Sequence, residues 1–138
     1  MNKKTQSIFS LVFTIVILGV VGILMLISSK GAPISVNSET SQLEIGGILY
    51  AKTIDIDNTV QIELVSPKDI LARTNGSAIG SVRSGYFTIE GDLAVYLNLG
   101  DYHLDWIEII DGDEYYYINL KTETETTAIY NELLELLD

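Results

Sequence analysis

The sequence predicts a mainly β domain carried on one N-terminal transmembrane helix. Three patterns predict it: an uncharged apolar run near the N-terminus, short alternating segments divided by turn residues, and a helical period at the C-terminus. Antiparallel strands followed by one amphipathic helix favour a strongly bent sheet or small barrel whose open end the helix covers. We predict an N-terminal tail at 1–7, the transmembrane helix at 8–29, a linker at 30–33 and the β domain at 34–138.

The apolar run at 8–29 contains no charged residue and lies between Lys4 and Lys30. A helix of about 20 apolar residues crosses a hydrocarbon core of about 30 Å. A cleaved signal peptide usually has a shorter apolar region, of about 7–15 residues, and small residues before its cleavage site. Cleavage after Ala32 would place Lys30 among those residues and Pro33 directly after the cut. We therefore predict an uncleaved, single-pass anchor rather than a signal peptide or a buried core helix.

Flanking charge predicts the orientation of this anchor. Lys3, Lys4 and the α-amino group precede the apolar run, whereas Lys30 alone follows it closely. Because positive charge is retained on the cytoplasmic side, the N-terminus is predicted in the cytoplasm and the domain outside.

The β domain is strongly acidic. All 19 acidic residues follow the anchor, against five basic ones, which gives the domain a formal charge of −14. Such a domain is repelled by nucleic acid and by anionic lipid head groups, so neither is a predicted partner. The chain has no cysteine, which excludes disulfides, thiol catalysis and cysteine-ligated zinc.

Alternation of apolar and polar residues predicts the strands, and Gly, Asp, Asn and Ser clusters predict the turns. The predicted strands begin near Ile34 and Leu43 and continue at 49–56, 59–65, 86–90, 93–99, 106–110 and 115–120. The stretch at 66–84 lacks clear alternation and contains several glycines, so it is predicted as a long irregular loop.

A helix of about four turns is predicted at the C-terminus. Thr122 and Glu125 form a capping-box pattern, and Ile129, Leu133 and Leu136 follow at helical spacing. The apolar stripe of this helix is expected to be buried against the β-sheet.

Short motifs in this order resemble a small bacterial family of pleckstrin-homology (PH) domains. The resemblance covers residues 34–137. It is carried by the segments at 43–47, 53–54 and 60–65, by 73–76 with Gly80 and 84–87, and by 116–120 with 129–133. It implies a PH-like bent antiparallel β-barrel of about seven strands with one C-terminal helix. Bacterial members are commonly attached to membrane helices. The resemblance implies a bacterial origin, which together with the predicted orientation places the domain on the outer side of the plasma membrane.

The same resemblance implies little about chemistry. PH-like domains elsewhere bind lipids or peptides, and a lipid-binding member would carry basic residues around the open end of the barrel. This sequence departs from that pattern, because it has few basic residues and many acidic ones. Phosphoinositide binding is therefore not expected here.

The predicted loop holds the candidate residues for a ligand or partner. Three of the five basic residues of the domain flank it, and its glycines permit close backbone approach. An anionic group or an acidic segment of a partner is the expected occupant; alternatively, Arg73 pairs with a nearby carboxylate and the glycines only shape the loop. The candidate residues are Lys68, Arg73, Asn75, Gly76, Arg83 and Tyr86.

Other patterns are weaker candidates. His103, with Asp101 and Asp105 two residues to either side, would offer a metal site only if the segment were extended; an exposed connector is the favoured interpretation. The sequence Asp111-Gly112 predicts a hairpin turn rather than a calcium loop. Tyr86, Tyr96, Tyr115 and Tyr117 lie off the predicted core faces and would form an exposed aromatic patch or pack under the loop.

Together these patterns predict a membrane-anchored, non-enzymatic interaction or accessory module that binds a protein or peptide at the membrane surface. The alternatives are a small-molecule or lipid sensor that uses the open end of the barrel, and an enzyme with a carboxylate pair. A flat, tyrosine-lined edge would favour the interaction module, whereas a basic or apolar open cavity would favour the sensor. No catalytic residue, metal or cofactor is predicted.

Overall fold

The computed structural model describes residues 2–29, 31–47 and 49–138, without the side chains of 27–29, and it confirms a mainly β fold between two helices. The elements are α1 (Lys3–Ser29), β1 (Ile34–Asn37), β2 (Gln42–Ile45), β3 (Lys52–Asp55), β4 (Gln61–Val65), β5 (Ile70–Ile79), β6 (Val82–Ile89), β7 (Leu93–Leu99), β8 (Trp106–Asp111), β9 (Glu114–Asn119) and α2 (Glu123–Leu136).

Helix α1 is long and apolar enough to cross a membrane. The most apolar 18 residues within its span Lys3–Leu26 have a mean hydropathy of 2.9, and none of these residues is buried by the rest of the protein. The helix begins before the apolar run, because the side chain of Asn2 accepts a hydrogen bond from the Lys4 amide at 3.2 Å and so caps its first turn. Lys30, which flanks the predicted anchor, lies outside the described residues.

The strands form two sheets that share no strand pairing among the described residues. The first sheet has the order β1-β2-β3, and the second has the order β4-β8-β9-β7-β6-β5. The prediction of about seven antiparallel strands is wrong in two respects, since nine strands are present in the described part and β7 pairs with β9 in parallel. The parallel pair arises because β8 and β9 form a hairpin that returns β9 to the side of β7.

The six-stranded sheet carries a buried core on each face of its inner strands. One face packs against the three-stranded sheet and α2, through a core that contains Leu43, Ile54, Ile107, Ile118 and Leu133. The opposite face carries a second core. This second core consists of Phe87, Ile89, Val95, Leu97, Leu99, Trp106 and Tyr117.

The C-terminal helix confirms the predicted capping box. The Glu125 amide donates to Thr122 Oγ1 at 3.2 Å, and this hydroxyl in turn donates to the Glu125 carboxylate at 3.1 Å. Leu133 is fully buried, and the helix contacts β1, β4 and β8. Helix α2 therefore covers the place where the two sheets meet.

The prediction of a loop at 66–84 is wrong, because most of this stretch forms the hairpin of β5 and β6. Gly76 pairs with Gly85 across the two strands. A Cβ atom on Gly85, whose φ is +108°, would lie 2.6 Å from the carbonyl oxygen of Asn75, so the glycines allow two strands to approach. The actual turn is at Gly80, with φ +57°. Strand β5 lacks alternation because both of its faces are largely exposed.

Candidate functional site

The six residues predicted to form a binding loop lie along the β5–β6 hairpin instead. Arg73, Asn75 and Gly76 belong to β5, and Arg83 and Tyr86 belong to β6. The sixth, Lys68, precedes β5. The hairpin brings them onto one part of the surface, but their side chains do not converge on a single pocket.

Arg83 has a structural role. Its Nη1 donates to the carbonyl oxygens of Gly80 at 2.7 Å and Val82 at 2.8 Å. Its guanidinium group also lies 4.2 Å from the centre of the Tyr102 ring. These contacts fix the hairpin turn to the connector at 100–105, so Arg83 is not available to a partner.

Arg73 and Lys68 have no polar partner among the described side chains. Neither side chain has an ion pair or a hydrogen bond with any other residue whose side chain the structure describes. The alternative in which Arg73 pairs with a nearby carboxylate is therefore not observed in this part of the chain. Because Arg73 is exposed on β5, its positive charge faces solvent at the edge of the sheet.

Strand β5 is an edge strand that contacts α1 and is exposed along its first half. It pairs with β6 on one side and with no described strand on the other, and the side chains at 71–75 are exposed, including Leu71 at 57%. Its pairing with β6 is irregular between Ile70 and Ala72 and between Arg73 and Asn75. Such an edge presents unpaired backbone groups that can bind an extended segment of another chain.

Three tyrosines form a row across the six-stranded sheet. Tyr86 pairs with Tyr96, which pairs with Tyr116. Neighbouring rings meet edge to face, with centroids 5.7 Å and 5.9 Å apart. Lys52 of the other sheet places its Nζ within 5.3–5.6 Å of all three ring centres and donates to the Tyr86 hydroxyl at 3.3 Å. This row links the two sheets through one ammonium group.

The predicted exposed patch of Tyr86, Tyr96, Tyr115 and Tyr117 does not exist as such. Tyr96 and Tyr117 are buried, on opposite faces of the sheet, and of the four only Tyr86 is largely exposed. The prediction is wrong because it assumed one core face, whereas this sheet buries both.

Buried tyrosines predict a loss of stability at alkaline pH. Burial raises the pKa of Tyr96, Tyr116 and Tyr117 above the ordinary value of about 10, and hydrogen bonds to Glu114 and Glu108 raise the last two further. Their contribution to stability is therefore complete below about pH 10, the unfolded pKa, and is lost as the pH rises above it. In a titration followed by tyrosinate absorbance and circular dichroism, these three should ionise only as the β signal disappears. Ionisation of all eight tyrosines with the β signal intact would contradict this.

The contact between Lys52 and the tyrosines should contribute measurably to stability. Lys52→Met keeps an unbranched apolar side chain but removes the charge, and we expect it to lower the free energy of unfolding by about 0.5–2 kcal/mol. Lys68→Met is the matched control, since Lys68 has no described partner. Denaturant midpoints of both variants provide the measurement; equal midpoints would show that the ammonium group contributes nothing.

A cavity of about 190 Å³ lies between the anchor and the domain. Its walls are the end of α1 at Leu24, the segment at 31–33 and residues of the segment at 46–50. Its remaining boundary consists of the neighbouring side chains Ser77, Ser84 and Asn98, which occupy adjacent strands in register. The cavity is largely apolar, with a polar row on one side.

The His103 segment is a turn rather than a strand. His103 Nδ1 lies 3.0 Å from Asp101 Oδ1, which also accepts the His103 amide. Within the described ranges there is no group of three or more His, Asp or Glu residues arranged to hold a metal ion. The predicted hairpin at Asp111 and Gly112 is confirmed, because Asp111 pairs with Glu114.

The chain matches no protein-family model and has no significant match to a curated protein or a solved structure. Function is therefore inferred from the geometry of the chain itself.

Sequence reasoning missed the contact of Lys52 with three tyrosines and the polar row in the cavity. Each tyrosine lies inside a recognisable strand, but only the pairing of β6 with β7 and of β7 with β9 brings them together. Because 66–84 was predicted as a loop, Ser77 and Ser84 were not recognised as neighbours on paired strands. The available signal was Gly85-Tyr86-Phe87, where alternation already continues back towards Val82.

Proposed function

We propose that this chain is a membrane-anchored, non-enzymatic interaction module that binds an extended segment of a partner protein along the free edge of β5. The observation that carries the proposal is the exposed stretch at 71–75 of this edge strand, which pairs with β6 alone among the described strands, although β5 also contacts α1. Backbone hydrogen bonds along such an edge supply affinity for an added strand, and side-chain contacts supply selectivity.

The chemistry of this edge restricts its partner. Leu71 offers an apolar contact, and the uncommitted Arg73 favours a carboxylate on the added strand. The two irregularities in β5 require the added strand to bend with it, which excludes long, flat strands. A short extended segment with apolar and acidic residues fits these conditions.

The anchor supports a role at the membrane surface. We propose that α1 spans the plasma membrane with its N-terminus in the cytoplasm, so that the domain lies outside the cell and close to the surface. The charge bias around α1 supports this orientation. Protease added to intact cells should then remove the domain; a domain that is protected until the cells are lysed would reverse the orientation.

A PH-like relationship is part of the proposal. A C-terminal helix that covers the junction of two packed sheets supports it. The parallel pairing of β7 and β9 and the division into sheets of three and six strands depart from the expected antiparallel barrel.

A charge on the free edge should weaken partner binding. Leu71→Lys should reduce affinity about tenfold or more, because a lysine ammonium loses the apolar contact and resists burial under an added strand. Leu64→Lys is the matched control, since Leu64 is also exposed, at 40%, on the other edge strand, β4. The partner is recovered by a photoreactive side chain at position 71 in native membranes, and its affinity is then measured for both variants. Equal loss in both variants, or loss in Leu64→Lys alone, would reject β5 as the binding edge.

A second candidate function is ligand binding in the cavity beside the anchor. The apolar walls of that cavity favour it, and no flat tyrosine-lined edge is found among the described residues. The cavity includes Ser77 of β5, whereas the proposed binding edge is at 71–75, so the two functions share a strand but use different residues.

A further inference from the structure

The cavity beside the anchor has a defined chemical character. None of the side chains that line it is charged, and Leu24, Pro33 and Leu49 contribute apolar surface. An ionised ligand would lose its hydration there without gaining a partner of opposite charge, which is costly. The ligand must therefore be uncharged where it enters the cavity.

One polar group in the cavity lacks a partner. Asn98 is only 3% exposed, and its Oδ1 accepts a hydrogen bond from Ser84 Oγ at 3.4 Å. Its Nδ2 makes no hydrogen bond to another described residue, and it is not fully buried, since no fully buried side-chain nitrogen or oxygen in the described part lacks a partner. An amide donor that lines the cavity without a partner can donate to a bound molecule, so a ligand that offers an oxygen acceptor to Asn98 would be stabilised.

The position of the cavity identifies the source of such a ligand. Leu24 belongs to the exposed apolar run of α1, so in an inserted helix this wall of the cavity would continue into the lipid-facing surface. Asn98 belongs to β7 of the domain that follows α1. A lipid chain that lies along α1 would thus bring its ester carbonyl towards Asn98 and its methylene groups towards Leu24.

We propose that this cavity binds the ester-proximal part of one acyl chain of an uncharged or zwitterionic membrane lipid, whose carbonyl oxygen accepts a hydrogen bond from Asn98. A cavity of about 150 Å³ is known to hold one benzene-sized apolar group, so 190 Å³ admits one chain segment rather than a whole lipid. The charge of −14 on the domain excludes anionic lipids. The inference names the ligand of the second candidate function and rests on α1 being inserted in a membrane.

The test uses the full chain in phosphatidylcholine nanodiscs that contain a fraction of phosphatidylcholine with a diazirine near the ester end of one acyl chain. After irradiation, lipid adducts are mapped by mass spectrometry. We expect adducts on α1 and, in addition, on the segments at 31–33 and 46–50.

Ser77→Leu fills the cavity and should reduce the domain adducts about tenfold, which corresponds to about 1.4 kcal/mol of lost affinity. Ala78→Leu, on the exposed face of the same strand, is the matched control and should leave them unchanged.

An ether-linked analogue of the probe tests the hydrogen bond without a mutation. It lacks the carbonyl oxygen, so it should label the domain several-fold less than the ester while labelling α1 equally. Adducts on α1 alone, domain labelling unaffected by Ser77→Leu, or equal domain labelling by ester and ether would each overturn the inference and leave the anchor intact. Absence of adducts on α1 would instead reject membrane insertion, and the lipid site with it.

Discussion

Replacing Trp106 by alanine is expected to lower the free energy of unfolding by about 3–5 kcal/mol, the range for removing a large aromatic side chain from a core. Trp106 is fully buried in the second core and meets Tyr117 edge to face, with ring centroids 5.5 Å apart. Its Nε1 donates to the carbonyl oxygen of Tyr102 at 3.1 Å, which joins the core to the connector at 100–105. A loss of this size is comparable with the whole stability of many small domains.

The measurement is denaturant unfolding of the full chain in detergent, followed by circular dichroism. Trp106→Phe is the control, because it keeps an aromatic ring in the core and removes the indole donor. We expect Trp106→Phe to lower the free energy of unfolding less than Trp106→Ala does. A Trp106→Ala protein with an unchanged midpoint would show that the second core contributes little to the fold.

Replacing Asn119 by alanine should cost at least about 2 kcal/mol, because several backbone groups lose their partner at once. Asn119 is 1% exposed, and its Nδ2 donates to the carbonyl oxygens of Asp101 at 2.7 Å and Asp105 at 3.2 Å. Its Oδ1 accepts the Asp101 amide at 3.2 Å. One side chain therefore holds both ends of the connector that leads from β7 to β8 and permits the parallel pairing of β7 with β9.

Unfolding midpoints and amide exchange of the connector test this role. Asn131→Ala is the control, since Asn131 is an exposed residue of α2. We expect a lower midpoint and faster exchange at 100–105 for Asn119→Ala alone. Equal behaviour of the two variants would show that the buried amide does not hold the connector.

The sequence predicts best those elements whose local pattern determines their structure. The alternation around Val60 and Ile62 predicts β4, and the capping pair of Thr122 and Glu125 predicts the start of α2. In each case residues close in the chain contain the signal, because one face is buried and the other is exposed.

Elements and sites that depend on distant pairing are not predictable in this way. Strand β5 is exposed on both faces, so it lacks the alternation that marks a half-buried strand. The position of β9 between β8 and β7 depends on contacts between residues far apart in the chain. The candidate residues at 68–86 can be identified as a set from the sequence. Their separate roles, Arg73 as an unpaired charge among the described residues and Arg83 as a structural contact, are visible only in the structure.

Amide hydrogen exchange of the membrane-bound protein, with and without the partner captured through position 71, tests the binding edge most directly. Partner binding is expected to slow exchange at 70–75 of β5, because an added strand accepts hydrogen bonds from amides on the unpaired side of β5. Exchange in α2 and in β1–β3 should not change. Protection of α2 or of the three-stranded sheet, with β5 unaffected, would contradict the account.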